Sequence, residues 1–168
     1  MNDVFYMFLC IITVVYLCLC FVTDIKERAI YSFPCIPLAA VWWIGALGLS
    51  NQSVYMYGIA IGHILVFFLL KMFPIWADGD NDLFFLSSAI FANAYFLGVG
   101  NLPAYVAIEL LYLVFSMGFS MFVGFLEAKR RHTKLLRNSS VALAPGFCVT
   151  CVMLLIGIVK MRWFVWTI

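Results

Sequence analysis

The sequence predicts an all-α, polytopic membrane protein: a bundle of about six transmembrane helices that forms a single domain over residues 1–168. Two observations lead to this fold class. Of the 168 residues, 66% are hydrophobic and only 11% are charged, whereas soluble domains are about 45–50% apolar and about 25% charged. The apolar residues also run in long unbroken stretches. The composition therefore excludes a soluble globular protein and a disordered chain, and a net charge of +2 does not favour nucleic-acid binding.

Six apolar stretches approach the length of about 20 residues that a helix needs to cross a bilayer core. Their apolar character is continuous and does not alternate, which favours helices over the strands of a barrel. The fourth and fifth stretches are separated only by uncharged turn formers around Gly98, Gly100 and Pro103. The predicted spans are Val4–Val22, Phe33–Leu49, Val54–Phe73, Leu83–Gly100, Pro103–Phe125 and Val141–Val159.

The distribution of basic residues predicts the orientation of these spans. Of the ten lysines and arginines, seven follow the first and fifth spans, and an eighth, Lys71, lies at the end of the third. The positive-inside rule places those three loops in the cytoplasm and both termini outside. The basic segment Glu127–Arg137 is interpreted as a topology signal, and it could also contact anionic lipid.

Carboxylates are the informative residues, because the chain has only eight. Charged groups at the ends of apolar helices are often functional. Two aspartates that face each other can share one proton, since repulsion raises one pKa while the other carboxylate stays ionised. The ionised group can activate water and the protonated one can polarise a peptide carbonyl. Five carboxylates fall in the predicted cytoplasmic loops 1 and 3: Asp24, Glu27, Asp78, Asp80 and Asp82.

Three short motifs sharpen this chemistry. Loop 1 reads D-I-K-E-R-A-I over Asp24–Ile30, loop 3 reads A-D-G-D-N-D-L over Ala77–Leu83, and the last helix opens near Ala144-Pro145. Together they resemble the type IV prepilin peptidases, which are GxGD-type intramembrane aspartyl proteases. In that family D-x-(K/R)-x-R-x-I-(P)-N follows helix 1, G-x-G-D opens helix 4, and a small-residue/proline motif opens the last helix.

The resemblance implies an aspartyl endopeptidase with Asp24 and Asp80 as its catalytic pair. Its expected substrates are prepilin or pseudopilin precursors, whose leader is cut at the cytoplasmic face of the bacterial inner membrane for type IV pili or type II secretion. The chain looks like the short, peptidase-only form, and no cofactor, metal or nucleic acid is expected. The resemblance also implies supporting roles for Lys26, Arg28, Gly79, Asp82 and Pro145.

The chain departs from the family pattern at three places. Ala77 replaces the first glycine of GxGD, Tyr31-Ser32 replaces the usual Pro-Asn, and Asp82 replaces the usual lysine. If loop 3 is extended, Asp78, Asp80 and Asp82 would crowd together and raise the apparent pKa of the catalytic pair. Alternatively, Asp82 is solvated and points away.

Two other functions stay open at this point. The chain could be a non-catalytic membrane subunit of a pilus or secretion assembly, or a small proton-coupled transporter that uses His63 and Glu109. His63 is expected to be a packed, hydrogen-bonded histidine. Glu109 is either functional or protonated and hydrogen-bonded within the bundle.

The aspartates of loop 3 mimic the start of an EF-hand loop, but Leu83 and Ala89 stand where glycine and glutamate are needed. The oligomeric state has no signature in the sequence.

The predicted topology can be tested with reporter fusions after Asn51 and after Asn138. The first fusion point follows the second span and the second directly follows the basic segment, so the two reporters should lie on opposite sides of the membrane. Activity of a cytoplasm-specific and a periplasm-specific reporter at each site measures this. Both reporters on one side would contradict the topology.

Overall fold

The computed structural model describes residues 3–27, 30–49, 53–73, 77–98, 102–130 and 143–166, and within them the chain forms six helices. The predicted all-α fold is therefore confirmed. Four of the helices, α1, α3, α5 and α6, are long and apolar enough to cross a membrane, and α2 is a shorter apolar helix. The helices are α1 (Asp3–Glu27), α2 (Ser32–Leu49), α3 (Ser53–Met72), α4 (Asp78–Gly98), α5 (Leu102–Arg130) and α6 (Ala144–Trp166).

Helix α4 is the centre of the bundle. Between Asn81 and Tyr95 every residue of α4 except Phe85 is buried. Helix α2 packs along it, and α6, α3 and α5 complete its surroundings. Small side chains such as Ser88, Ala89 and Ala92 let these neighbours approach closely. Because α4 faces other helices and not lipid, it can be more polar than the helices around it.

The helices extend beyond the predicted apolar spans at their charged ends. Helix α1 continues to Glu27 and α4 begins at Asp78, so the prediction that Asp24 and the aspartates of loop 3 lie in loops is wrong. The carbonyl of Ala77 starts α4 by accepting the backbone N–H groups of Asp80 (3.0 Å) and Asn81 (3.2 Å). Hydropathy detects where a helix meets lipid, whereas the helix itself ends where its backbone hydrogen bonds end. The last helix begins at Ala144, and Val141, its predicted start, lies outside the described residues.

A buried polar network joins α1, α2 and α4 inside the bundle. The Asn93 side-chain amide donates to the Trp42 carbonyl (2.6 Å) and to the Ala89 carbonyl (2.9 Å), and it accepts from the Tyr6 hydroxyl (2.8 Å). The Trp42 indole N–H donates to Thr13 Oγ1 at 3.0 Å. Apolar side chains cannot distinguish one helix neighbour from another in lipid, so such bonds help to specify which helices pair.

His63 and Glu109 form a pair between α3 and α5. Nε2 of His63 lies 2.7 Å from Oε1 of Glu109, and Nδ1 lies 2.9 Å from the Ile59 carbonyl oxygen. The His63 ring also packs against Trp43, with 5.1 Å between ring centroids. The interpretation of His63 as a packed, hydrogen-bonded histidine is confirmed, and its partner is Glu109.

We expect Asn93→Leu to destabilise the bundle by about 1–3 kcal/mol, because it leaves the Tyr6 hydroxyl and the Trp42 carbonyl without this partner. Unfolding of the purified protein in a denaturing detergent measures the loss. Thr23→Val is the control, since the Thr23 hydroxyl donates only within α1, to the carbonyls of Leu19 and Cys20. The control should change stability by less than about 0.5 kcal/mol. Equal effects of the two substitutions would show that the network does not stabilise helix pairing.

Candidate active site

Asp24 is a buried carboxylate held between two helix ends. It lies in the last turn of α1 and is only 6% exposed. A negative charge at a helix C-terminus is unfavourable, so this position needs compensation from elsewhere. The backbone N–H of Ala144, the first residue of α6, donates to Asp24 Oδ2 at 3.1 Å. The carboxylate thus meets the positive end of α6, which favours its ionised form.

Asp80 lies in the first turn of α4, at the same end of the bundle. Burial raises the pKa of Asp80 to about 6, with a further contribution from the negative charge of Asp24. A backbone hydrogen bond from Ala77 acts in the opposite direction. The structure therefore brings together the two aspartates that the sequence singled out. Because Asp24 is stabilised as an anion and Asp80 is not, the proton of the pair belongs on Asp80.

Gly79 permits the close contact that joins the first two motifs. A Cβ atom at position 79 would lie 2.6 Å from Cβ of Ile30, and no pair of side-chain carbons approaches this closely. Ile30 ends the motif that begins at Asp24, and Gly79 directly precedes Asp80. Only glycine lets the start of α4 approach the segment between α1 and α2 this closely.

The third motif, Ala144-Pro145 at the start of α6, supplies the backbone N–H that donates to Asp24. Pro145 is buried in the first turn of α6, where its fixed φ suits a helix start and its missing N–H costs nothing. Gly146 follows in close contact with α5, since a Cβ there would collide with the Ser116 carbonyl oxygen and with Ser120 Oγ. The N-terminus of α6 is therefore fixed against α5 on one side and donates to Asp24 on the other.

Asp82 does not join the pair, and the expectation that it crowds Asp80 is wrong. Residues 78–98 are helical, so side chains two apart point in different directions. Asp82 is 1% exposed, which also excludes the solvated alternative. Its Oδ1 lies 3.0 Å from Nζ of Lys71 on α3, as an ion pair and not as a well-aligned hydrogen bond. The pKa of Asp80 is raised by its own burial and by Asp24, not by Asp82.

The remaining predicted supporting residues are basic. Lys26 is exposed in the last turn of α1, and Arg28 lies outside the described residues. Exposed carboxylates also stand at this end of the bundle, on Glu27 of α1 and Asp78 of α4.

Sequence reasoning missed two residues around the site. Lys71 contributes to the sequence argument only as one of the basic residues that set the topology, although a lone lysine at a helix end is also a possible partner for Asp82. Ser120 was not singled out. Its only sequence signal is the spacing of four from Ser116, which places both hydroxyls on one face of α5.

The arrangement can perform acid–base chemistry at the end of a membrane bundle. It combines one carboxylate stabilised as an anion with one carboxyl whose pKa is about 6. The first can remove a proton from water and the second can donate a proton to a carbonyl oxygen.

We expect Gly79→Ala to destabilise the protein by about 1–3 kcal/mol, because the added methyl must push α4 away from Ile30. Gly58→Ala in α3 is the matched control, since nothing lies within 4 Å of a Cβ at that position. Alanine favours a helix by up to about 1 kcal/mol over glycine, so the control should be neutral or stabilising. Detergent unfolding of both variants measures the difference, and a neutral Gly79→Ala would show that the close contact is dispensable.

Comparison of the chain with protein-family models, with curated proteins and with solved structures finds no match.

Proposed function

We propose that the protein is an aspartyl endopeptidase that cleaves the leader peptide of type IV prepilin-like precursors at the cytoplasmic face of a bacterial inner membrane. The observation that carries the proposal is the pairing of Asp24 and Asp80. They are 56 positions apart in the sequence, yet buried Asp24 and half-buried Asp80 interact electrostatically. They are also the two aspartates on which the motifs converge.

The two carboxyl groups divide the reaction between them. Ionised Asp24 takes a proton from water, and the resulting hydroxide adds to the carbonyl carbon of the scissile peptide bond. Protonated Asp80 gives its proton to the carbonyl oxygen, so a neutral gem-diol forms. The C–N bond then breaks as Asp24 returns its proton to the leaving nitrogen, while Asp80 recovers a proton from the diol. No covalent intermediate with the protein is needed.

The position of the pair suits a substrate that enters from the membrane. Asp24 and Asp80 lie at the helix ends, where the apolar spans of α1 and α4 begin or end. A prepilin-like precursor has a basic leader in the cytoplasm and an apolar helix in the membrane, so its cleavage site lies at this boundary. The exposed carboxylate of Glu27 at the same end is suited to a basic leader.

The departures from the family pattern are compatible with activity. Ala77 acts through its backbone, whose carbonyl caps α4, and its side chain is exposed. Ser32 is the first residue of α2, and serine and asparagine have similar helix propensities. The backbone carbonyl of Tyr31 accepts the hydroxyl of Tyr16 at 2.7 Å. Asp82 stands where the family pattern has a lysine, and its charge is balanced by Lys71 in an ion pair.

A proton-coupled transporter is the second candidate, because the His63–Glu109 pair lies within the membrane spans of α3 and α5. Intramembrane ionisable pairs are frequent in proton pathways. His63→Gln and Glu109→Gln separate the two functions. A peptidase should retain cleavage in both variants, whereas a transporter would lose proton-coupled uptake in proteoliposomes.

We expect Asp24→Asn and Asp80→Asn each to reduce cleavage of a prepilin-like precursor at least about a hundredfold, because an amide cannot exchange the proton. Mass spectrometry of the products from purified protein in proteoliposomes measures the loss. Asp78→Asn is the matched control, since Asp78 is exposed in the same helical turn as Asp80, and it should retain most of the activity. An inactive Asp78 variant beside an active Asp80 variant would contradict the assignment.

The pH dependence of cleavage follows from the pair. Asp80 has a raised pKa of about 6 and must carry its proton to act as the acid. Activity should therefore fall as pH rises through that value. A pH–rate profile measures the basic limb, and a constant rate from pH 5 to well above neutrality would contradict the role of Asp80.

A further inference from the structure

A serine on α5 organises the helix start that donates to Asp24. Ser120 is fully buried. Its hydroxyl donates to the Leu143 carbonyl at 2.6 Å and accepts the Gly146 backbone N–H at 3.0 Å. These two groups lie on either side of Ala144, whose N–H donates to Asp24 Oδ2 at 3.1 Å. One hydroxyl thus holds the first turn of α6 on both sides of the residue that binds the carboxylate.

The contact between α5 and α6 leaves little freedom for this turn. A Cβ atom at Gly146 would collide with the Ser116 carbonyl and with Ser120 Oγ, so the two backbones are as close as glycine allows. One turn further from the start of α6, Oγ of Ser116 on α5 lies 2.8 Å from Oγ1 of Thr150 on α6. These contacts fix the position of α6 along α5, and Ser120 orients its N-terminal turn.

We propose that Ser120 is a positioning residue for Asp24. It keeps the Ala144 N–H directed at the carboxylate, and thereby keeps Asp24 ionised and correctly placed beside Asp80. The catalytic consequence rests on the proposed function, whereas the effect on the Asp24 carboxylate does not. Ser120 acts through the backbone at the start of α6, to which both of its described hydrogen bonds run.

Several titratable groups face Asp24 and must be considered with it. Asp80 comes from α4, Cys20 from α1 and Cys148 from α6, while Cys35 on α2 interacts with Asp82. None of these groups is altered when Ser120 is changed. Ser120 itself is uncharged, so a substitution there changes the environment of Asp24 only through the geometry of α6.

The test compares Ser120→Ala with Ser116→Ala. The two serines are one turn apart on α5, both are fully buried at the α5–α6 contact, and the substitution is the same. The Ser116 hydroxyl bonds to Thr150 and to the Tyr112 carbonyl, so its loss does not release the start of α6. A merely structural role predicts equal effects for the two variants.

For Ser120→Ala we expect kcat for precursor cleavage to fall about tenfold, the effect of weakening one hydrogen bond to a charged group, with KM changed by less than about twofold. The acidic limb of the pH–rate profile reports the ionisation of Asp24. A less well stabilised anion forms at higher pH, so this limb should move toward higher pH by about half a pH unit or more. Ser116→Ala should leave the acidic limb in place. If Ser120→Ala does not fold, Ser120→Cys supplies the test, because a thiol is a weaker donor and acceptor and should shift the limb upward by a smaller amount.

A second readout does not depend on cleavage. Carbon-13 NMR of aspartate-labelled protein follows the titration of the Asp24 carboxyl, which Asp24→Asn identifies. An upward shift in Ser120→Ala but not in Ser116→Ala supports the positioning role, even if the wild-type protein fails to cleave any precursor and the proposed function is overturned. Equal titration of Asp24 in wild type and Ser120→Ala, or equal shifts in the two serine variants, would overturn the positioning role.

Discussion

The site depends on the electrostatic repulsion between two neighbouring carboxyl groups, of which Asp24 is buried and Asp80 is half-buried. Partial exclusion of water makes it unfavourable for both to be ionised. The two carboxyl groups therefore lie in different environments. The positive end of α6 stabilises the charge of Asp24 through the Ala144 N–H, whereas burial and repulsion favour the proton on Asp80. Two copies of the same side chain thus differ in how readily each one is ionised.

The rest of the bundle serves to bring three helix ends to this pair. Asp24 ends α1, Asp80 begins α4 and Ala144 begins α6. Gly79 lets α4 approach Ile30, and Gly146 lets α6 approach α5. Lower in the bundle, the Asn93 network joins α4 to α1 and α2. Because α4 is enclosed by other helices, it can carry polar groups through the bundle and place an aspartate at its end.

The sequence predicts the fold better than it predicts the details of the site. Lipid as a solvent requires long apolar helices, so the all-helical fold can be predicted from hydropathy alone. Among the described residues, four of the six helices are long and apolar enough to cross a membrane. The helix ends were placed less well, because charged residues such as Asp24 and Asp78 continue a helix after the apolar stretch stops. The partner of Asp82 and the role of Ser120 depend on which helices pack together. Neither the ion pair with Lys71 nor the two bonds of Ser120 can be read from a local pattern.

The most direct test of this account is the titration of Asp80 in the wild-type protein and in Asp24→Asn. Infrared difference spectroscopy detects the protonated carboxyl, and Asp80→Asn identifies its band. We expect Asp80 to titrate at about 6 in the wild type and at a lower pH in Asp24→Asn, because the repelling charge is removed. It should stay above the ordinary 3.8, because burial is the larger cause. An unchanged titration in Asp24→Asn would show that the two carboxyl groups do not interact and would contradict the account.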